Sequence, residues 1–235
     1  MDVMNFILGN KNYFEDFITR STYHSNAIEG NTLSYAETYA IIFNDNSLTI
    51  SATARELYEA INHKYAIDYI FKHMKDPLNE TMIKEIAQII NRNINEIGGY
   101  RAHQVFIRNA EHIPPTPQMV PSQMMYWVYN YNNTEFQSVF EKAASAHIAF
   151  ERIHPFEDGN GRTGRLLVNY ELIRNNIPPV VIPKETRAQY LAFLAENNVG
   201  GLAQFFEALS AEEQVRIERF ASPSQQLQQE PPLEP

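Results

Sequence analysis

The chain has 235 residues, 44% of them hydrophobic and 20% charged, and its formal net charge at pH 7 is -9. This composition excludes a wholly disordered chain, and the acidic balance argues against a nucleic-acid partner. The chain contains no cysteine, which excludes disulfides, thiol catalysis and cysteine-bound zinc. It has no run of 18 apolar residues and no basic signal-peptide start, so we expect a cytoplasmic protein with no membrane partner.

Helical periodicity dominates the chain. The predicted helices cover roughly 35–43, 58–69, 82–94, 123–131, 136–154, 161–174, 187–196 and 202–220. In the second of these, a buried face is predicted for Tyr58, Ile61, Tyr65 and Tyr69. Two capping boxes are predicted, one from Ser34 to Glu37 and one from Thr134 to Gln137.

Two segments depart from the helical pattern. Between 98 and 121, the alternation of Val105 and Ile107 and four prolines predict a short β-hairpin or flap. From Pro223 onward, four prolines and four glutamines predict a disordered tail. We therefore predict one mainly α unit with a β-hairpin, divided into an N-terminal region (1–50), a core (51–221) and a tail (222–235).

The segment HPFEDGNGRTGR, residues 154–165, contains most of the candidate functional residues. Its glycines formally spell the G-x-G-x-x-G of dinucleotide-binding folds, but that motif needs a preceding strand, and here a helix precedes it. Pro155 predicts that this helix ends near His154, which continues the apolar face and so points inward. The glycine-rich loop then opens the next helix, and N–H groups at such a helix start bind anions. His147, alone on the apolar face, is interpreted as a structural residue.

Arg162 and Arg165 lie on the first turn of the next helix, where positive charge opposes the helix dipole. This placement indicates a resident anion with more than one charged group, such as a polyphosphate. Beside such a site, Asp158 suits Mg²⁺, which is commonly held by one or two carboxylates and substrate oxygens. With His154 as a base, these groups supply the parts for phosphoryl or nucleotidyl transfer.

The same segment resembles the H-x-F-x-[D/E]-G-N-G-R-x-x-R signature of the Fic (Fido) family at every fixed position. The stretch GGYRAHQVFI followed by HIPPTP is similar to the segment that leads into the family's flap. The resemblance implies a Fic-type helical bundle with a short β-hairpin flap over the active site. It also implies transfer of AMP from ATP to a Tyr, Thr or Ser hydroxyl of a target protein, with release of pyrophosphate.

The resemblance assigns roles by position. It implies His154 as the base, Asp158 as the Mg²⁺ ligand and Phe156 as an anchor of the loop. Phosphate contacts are implied for Gly159, Asn160, Gly161, Arg162 and Arg165. The flap that lays out the target, through main-chain hydrogen bonds to its edge, is implied to comprise Ile107, Arg108, Asn109, Ala110, Glu111 and His112. Tyr190 and Asn197 resemble adenine-pocket residues of the family.

A second signature lies near the N-terminus. Ser25-Asn-Ala-Ile-Glu29-Gly30 matches the [S/T]-x-x-x-E-[G/N] inhibitory motif of Fic proteins and resembles the class whose inhibitory helix precedes the core in the same chain. Gly30 predicts a helix end, with Glu29 in the last turn, where a carboxylate opposes the dipole. A bidentate pair of Glu29 with Arg165 would remove two unfavourable charges and occupy the clamp for the γ-phosphate. We therefore expect an autoinhibited enzyme.

Alternatives remain open at this point. The same site could remove AMP from a modified protein as a de-AMPylating phosphodiesterase, with Glu29 positioning water, and some relatives transfer phosphate or phosphocholine instead. A non-catalytic helical interaction module is the third alternative. Expected partners are ATP, an unidentified target protein and the chain itself, and the resemblance allows a homo-oligomer, since self-association or self-modification relieves inhibition in some family members.

Overall fold

The computed structural model describes residues 2–43, 48–107 and 112–222. These residues form ten α-helices. In chain order the helices are α1 (Val3–Gly9), α2 (Lys11–Ile28), α3 (Tyr35–Phe43), α4 (Ala54–Lys72), α5 (Glu80–Asn91), α6 (Val120–Asn133), α7 (Val139–Ile153), α8 (Asn160–Arg174), α9 (Arg187–Ala195) and α10 (Val199–Ala221). Two short 3₁₀ turns, Pro117–Met119 and Lys184–Thr186, precede α6 and α9. The prediction of a mainly α fold is confirmed.

Helix α8 is the centre of the fold. Thirteen of its 15 residues are buried, including polar residues in its first two turns and apolar residues after them. It packs most extensively against α7 and also contacts α5, α4, α2 and α1, while α10 packs against α7. Because its first turns are polar and surrounded by other helices, they form a site inside the bundle.

The predicted hairpin is not shown by the described residues. Those on either side of its tip, 104–107 and 112–116, include Ile107 and His112 and have no strand conformation. Arg108, Asn109, Ala110 and Glu111 lie outside the described residues, as does the predicted tail from Pro223 onward. None of the helices in the described ranges is long and apolar enough to cross a membrane.

The two predicted capping boxes have different outcomes. The box at Ser34 is confirmed, since Ser34 N donates to Glu37 Oε2 at 2.8 Å and Glu37 N donates to Ser34 Oγ at 3.2 Å. The box at Thr134 is wrong, because Thr134 ends α6 and α7 begins only at Val139. Ser138 caps α7 instead, accepting from the backbone N–H of Glu141 at 3.1 Å.

The predicted buried face of α4 is also wrong. Tyr65 is 53% exposed, and the face that turns inward carries Glu59, Asn62 and His63 among smaller apolar residues. These polar side chains have partners inside the bundle; Asn62 Nδ2, for example, donates to the carbonyl of Arg92 at 2.6 Å. Polar residues are normally exposed, so a hydrophobicity pattern assigns such a face to solvent.

Helix α2 is held to α10 by a buried polar cluster. Both guanidinium ends of Arg20 donate to Glu213, at 2.9 and 2.6 Å, and Arg20 Nε donates to Asp16 at 2.8 Å. Tyr13 Oη also donates to Glu213, at 2.7 Å. The first half of α2 is therefore fixed to the body of the protein.

Candidate active site

The turn between α7 and α8 presents His154. This residue ends α7 with a left-handed φ of 50°, and Pro155 follows it. Arg101, only 3% exposed, holds the turn through Nε, which donates to the His154 carbonyl at 2.8 Å, and through its backbone N–H, which donates to Pro155 O at 2.9 Å. Phe156 is fully buried, which confirms it as an anchor of the loop.

The loop enters α8 through Gly159 and Asn160. Gly159 has a φ of 76°, and a Cβ there would lie 2.8 Å from the Asn91 amide nitrogen, so glycine is required on both counts. The side-chain amide of Asn160 is used within the loop, accepting from Phe156 N at 2.9 Å and donating to Phe156 O at 2.8 Å. No side chain caps the N-terminus of α8, so its first N–H groups are available to an anion.

The carboxylate of Glu29 lies against this helix start. A Cβ added to Gly161 would overlap Glu29 Oε1, and the same oxygen accepts from Arg165 Nη2 at 2.7 Å. Burial acts to raise the pKa of Glu29, but the Arg165 guanidinium holds that pKa below its ordinary value. Glu29 therefore places a negative charge where the N-terminus of α8 attracts one.

The predicted pairing of Glu29 with Arg165 is present, but the predicted bidentate geometry is wrong. Only Oε1 of Glu29 bonds the guanidinium, which also donates to Ser25 through Nε and Nη2. Arg165 Nε donates to Ser25 Oγ at 3.0 Å, and Nη2 donates to Ser25 O at 2.9 Å. The Arg165 side chain is 8% exposed and that of Glu29 is 38% exposed, so the carboxylate lies at the open side of the site.

The end of α2 fixes the backbone of Glu29. Gly30 has a φ of 102°, and its N–H donates to Ala27 O at 3.0 Å, while Asn31 N donates to Asn26 O at 3.1 Å. These two bonds form a Schellman motif, which needs a left-handed residue after the helix cap. The predicted role of Gly30 as a helix-ending glycine is confirmed.

Arg162 is the most deeply buried charge of the site, at 1% exposure. Its Nη2 donates to Asp158 Oδ1 at 3.1 Å, and its Nη1 lies 3.3 Å from Glu59 Oε1. Its Nε has no hydrogen-bond acceptor among the described residues. A buried guanidinium with an unused donor fits a site that receives a further anion.

Asp158 is fully engaged by cationic and amide groups. Its Oδ2 accepts from Arg55 Nη2 at 2.5 Å, and its Oδ1 accepts from Gly159 N at 2.6 Å. Burial acts to raise the pKa of Asp158, but Arg162 and Arg55 hold it below its ordinary value. No cluster of three or more acidic or histidine residues suited to a metal occurs in the described ranges. A single ionised carboxylate beside an anion site fits Mg²⁺ that arrives with a phosphate ligand.

The His154 imidazole lies at the edge of this arrangement, with its side chain 22% exposed. Burial lowers its pKa below the ordinary value, which favours the neutral imidazole at pH 7. Its Nδ1 lies 3.3 Å from the carbonyl oxygen of Glu151, and 4.0 Å from the carboxyl Oε2 of the same residue. A neutral imidazole held from the Nδ1 side can accept a proton at Nε2.

The two residues that resemble adenine-pocket residues have different surroundings. Tyr190 is fully buried, and its hydroxyl lies 2.6 Å from His147 Nε2 in a hydrogen bond. Burial, with the charge of Arg165, lowers the pKa of His147 to about 3, which agrees with a structural role. Asn197, in contrast, lines an open cavity of about 480 Å³ together with His112. That volume is within the range of small-molecule sites.

Four residues of the site were missed in the sequence: Arg55, Glu59, Arg101 and Glu151. The first three lie 53 to 103 residues before the residues that they contact, and no local pattern connects them to the loop. Glu151 lies three residues before His154, so its position on α7 was a signal that could have been used.

Comparisons with known proteins give a consistent result. Residues 77–172 match the Fic/DOC family. The chain is 35% identical over 208 residues to the protein adenylyltransferase fic-1 of Caenorhabditis briggsae, covering 84% of this chain and 40% of the relative. It is also 35% identical over 192 residues to the protein adenylyltransferase Fic of Nematostella vectensis, covering 78% and 44%. The chain thus spans about two fifths of the length of the curated relatives it matches.

Solved structures agree with this match. A Fic-domain signalling protein from Bacteroides thetaiotaomicron superposes with a TM-score of 0.81 at 27% identity, covering 90% of both chains. Residues 134–508 of Fic-1 from Caenorhabditis elegans superpose with a TM-score of 0.73 at 31% identity, covering 90% of this chain and 64% of that one.

Proposed function

The chain is a member of the Fic/DOC family, and we propose that it is a protein adenylyltransferase that transfers AMP from ATP to a hydroxyl of a target protein. One observation carries the proposal: His154, whose pKa is lowered by burial, lies beside a helix N-terminus whose anion position is taken by Glu29 on Arg165. A polyphosphate that displaces Glu29 meets the same guanidinium and the same N–H groups. Adenylyltransferases are the relatives that this chain resembles over most of its length.

The proposed reaction uses the chain's own groups in defined roles. The N–H of Gly161 and the guanidinium groups of Arg162 and Arg165 bind the phosphates, since the N–H of Gly159 already donates to Asp158 Oδ1. His154 Nε2 takes the proton of the target hydroxyl while the hydroxyl oxygen forms a bond to the α-phosphorus of ATP. The bond from that phosphorus to the bridging oxygen of the β-phosphate breaks, and pyrophosphate leaves with the electron pair. Fixed positive groups around the leaving group stabilise the charge that develops on it.

Asp158 is proposed as the protein ligand of Mg²⁺. When bound, Mg²⁺ neutralises charge on the phosphates. Arg55 must release the Asp158 carboxylate for this, and its side chain is 53% exposed and so can turn to solvent. Within the chain, Asp158 then remains held by Arg162 and the N–H of Gly159.

Separate binding places are proposed for the nucleoside and the target. The cavity lined by Asn197 and His112 is proposed to take the adenine. Tyr190 is buried beneath Arg165, with the guanidinium carbon 5.9 Å from its ring centre, so we assign it to supporting that arginine. A β-hairpin over residues 107–112 remains our proposal for the surface that presents the target segment.

Autoinhibition is the second part of the proposal. Glu29 competes with the γ-phosphate for Arg165, so that ATP binds productively only after this carboxylate leaves. The helix that carries it belongs to the same chain, as in the class of Fic proteins with an N-terminal inhibitory helix. The position of Ser25 supports this arrangement, since Ser25 holds Arg165 in place by two further hydrogen bonds.

The test is Mg²⁺-dependent transfer of label from α-phosphate-labelled ATP to protein, with the protein itself and a cell lysate as acceptors. We expect little label with the wild type, strong label with Glu29→Gly, and none when His154→Ala is added. Glu185→Gly is the matched control, because Glu185 lies beside His24 of α2 without contacting Arg165. Equal labelling by wild type and Glu29→Gly would contradict autoinhibition.

The reverse reaction is kept as a second candidate because one observation favours it. The Glu29 carboxylate lies within the site itself, where it could orient a water molecule toward an AMP-modified side chain. If no variant transfers label, an AMP-modified acceptor protein is the next substrate. Release of AMP by the wild type and loss of that release in Glu29→Gly would establish this function instead. Binding of ATP without either reaction would support the non-catalytic module.

A further inference from the structure

Glu151 is a buried carboxyl group that the proposed reaction does not use. Its side chain is 13% exposed, and its Oε1 has no hydrogen-bond partner among the described residues. A Cβ added to Gly164 would lie 3.0 Å from that oxygen, so the carboxyl group packs directly against the turn of α8 that carries Arg165. Its other oxygen lies 4.0 Å from His154 Nδ1. One carboxyl group thus lies between the anion site and the base.

We infer that Glu151 is a positioning residue for His154 whose charge follows the anion on Arg165: neutral while a carboxylate or phosphate is bound there, and ionised when that guanidinium is free. The part of this inference that names His154 as the base rests on the proposed function. The link between the charges of Glu29, Glu151 and His154 rests on the positions of these groups and on the raised pKa of Glu151.

Groups from three helices face Glu151. Glu29 faces it from α2, Arg165 from α8 and Tyr190 from α9, while His147 and His154 belong to its own helix or the turn that follows. Burial, followed by the negative charge of Glu29, raises the pKa of Glu151 to about 8, while Arg165 acts in the opposite direction. With Glu29 in place, Glu151 is therefore mostly protonated at pH 7.

Removing the charge of Glu29 changes this balance twice. Glu151 loses a like charge that disfavours its ionised form, and it then faces an Arg165 whose charge is no longer neutralised. Both changes lower its pKa and favour the carboxylate. A phosphate bound to Arg165 restores a negative charge at the same position, so bound ATP should return Glu151 to its neutral form.

His154 responds to the charge of Glu151 because of its position. Burial and Arg101 lower the pKa of His154, whereas Glu29 and Asp158 raise it and the backbone oxygen of Glu151 accepts from its ring. A carboxylate at Oε2, 4.0 Å away, would raise it further. When Arg165 carries an anion, Glu151 is neutral and His154 is free to accept a proton. When Arg165 is empty, the ionised Glu151 favours the imidazolium, which cannot act as a base.

The direct test is a titration of His154 by NMR in four proteins: wild type, Glu29→Gln, Glu151→Gln and the double variant. Glu29→Gln removes the charge and keeps the size of the side chain. The signal is assigned by its loss in His154→Ala among the seven histidines. We expect Glu151→Gln to leave the pKa of His154 unchanged when Glu29 is present, and to lower it by about one unit in the Glu29→Gln background.

Two additions sharpen this titration. The first is saturating ATP without Mg²⁺, added to Glu29→Gly and to the Glu29→Gly, Glu151→Gln double variant. Bound ATP should make the pKa of His154 equal in these two proteins. Glu157→Gln is the matched control, since Glu157 lies three residues after His154, as Glu151 lies three before it, but turns outward to His103 at 2.8 Å. This control should leave the titration of His154 unchanged. Circular dichroism and thermal melting verify that each variant is folded.

A kinetic measurement separates positioning from a purely structural role. In the Glu29→Gly enzyme, kcat/KM reports the free enzyme and kcat reports the ATP complex. Glu151→Gln should shift the acid limb of kcat/KM to lower pH by about one unit and leave the acid limb of kcat in place.

Either of two titration results would overturn the inference: an equal shift of the His154 pKa with and without the Glu29 charge, or no shift in either background. The titration needs no turnover, so its outcome is independent of the proposed function. Failure of AMP transfer with the expected titration would reject the adenylyltransferase and keep the charge link. If AMP is transferred but the His154 titration differs from the expected one, the adenylyltransferase is kept and the charge link is rejected.

Discussion

Arg162 and Arg165 lie three residues apart on α8 and are both buried, yet their acidic partners differ in how exposed they are to solvent. Arg162 is held by Glu59, whose side chain is 7% exposed, and by Asp158, within the body of the protein. Arg165 is held by Ser25 and by Glu29, and the latter is 38% exposed. One arginine is thus part of the scaffold, while the other is neutralised by a group that can leave. A single signature therefore contains two arginines with different kinds of partner.

The two ends of α2 show the same division. Its first half is fixed to α10 through Tyr13, Arg20 and Glu213, whereas Glu29, which caps its C-terminus, contributes a side chain at the open edge of the site. Displacement of Glu29 therefore requires no movement of α2 as a whole.

The largest effect is expected for Arg162→Ala. This change leaves Glu59 and Asp158 with only the half-exposed Arg55 as their cation, and removing one partner of a buried pair costs about 3–5 kcal/mol. Urea unfolding measures the loss. Arg165→Ala is the comparison, and we expect a smaller loss because Glu29 can turn to solvent. Equal losses for both variants would contradict the distinction between the two arginines.

Glu151→Gln is expected to stabilise the protein increasingly as the pH rises. The folded-state pKa of Glu151, about 8, lies above its unfolded value, so the wild type binds the extra proton when folded and loses stability as the pH rises through this window. The variant avoids this loss, which amounts to at most about 1.4 kcal/mol for each pH unit. Thermal melting at pH 5 and pH 8 tests it. A gain that is the same at both values would show that Glu151 ionises normally.

Ser25→Ala tests the fixed part of the Arg165 environment. The change removes the hydroxyl that accepts from Arg165 Nε and leaves a buried charged donor without its partner. We expect a loss of about 1.5–3 kcal/mol in the free energy of unfolding. Ser21→Ala is a suitable control, since Ser21 is also buried on α2, one turn earlier. If Ser21→Ala lowers the free energy of unfolding as much as Ser25→Ala does, the loss does not arise from the contact with Arg165.

The smallest effect is expected for Arg55→Ala. Its ion pair with Asp158 is half exposed, and such pairs contribute about 0–1 kcal/mol. The variant should therefore unfold like the wild type, while Mg²⁺-dependent ATP binding in the Glu29→Gly background should tighten by less than about tenfold. Isothermal calorimetry with and without Mg²⁺ checks this. Weaker binding would mean that Arg55 contacts the nucleotide instead of blocking Asp158.

Local features were predictable from the sequence. Gly30, the Ser34 cap and the turn at Pro155 each depend on neighbouring residues, and the structure has all three. The pairing of Glu29 with Arg165 was also predictable, because each charge alone opposes its helix dipole. The partners of Arg162 were not predictable, since Glu59 lies on a helix face that the hydrophobicity pattern assigned to solvent. The bidentate geometry of the Glu29–Arg165 pair was predicted wrongly for a similar reason. The sequence motif includes Ser25, but it does not show that the Ser25 hydroxyl accepts from Arg165.

The Schellman motif at the end of α2 has a consequence for the timescale of inhibition. It fixes the backbone at Glu29, so the carboxylate moves only by rotation of its side-chain bonds, and exposed side chains change rotamer in picoseconds to nanoseconds. Enzyme turnover takes on the order of a millisecond to a second. The exchange between carboxylate and nucleotide at Arg165 is therefore not slowed by any backbone rearrangement. If Glu29 inhibits as proposed, we therefore expect inhibition to behave as a rapid equilibrium, in which the fraction of active molecules follows the concentration of ATP.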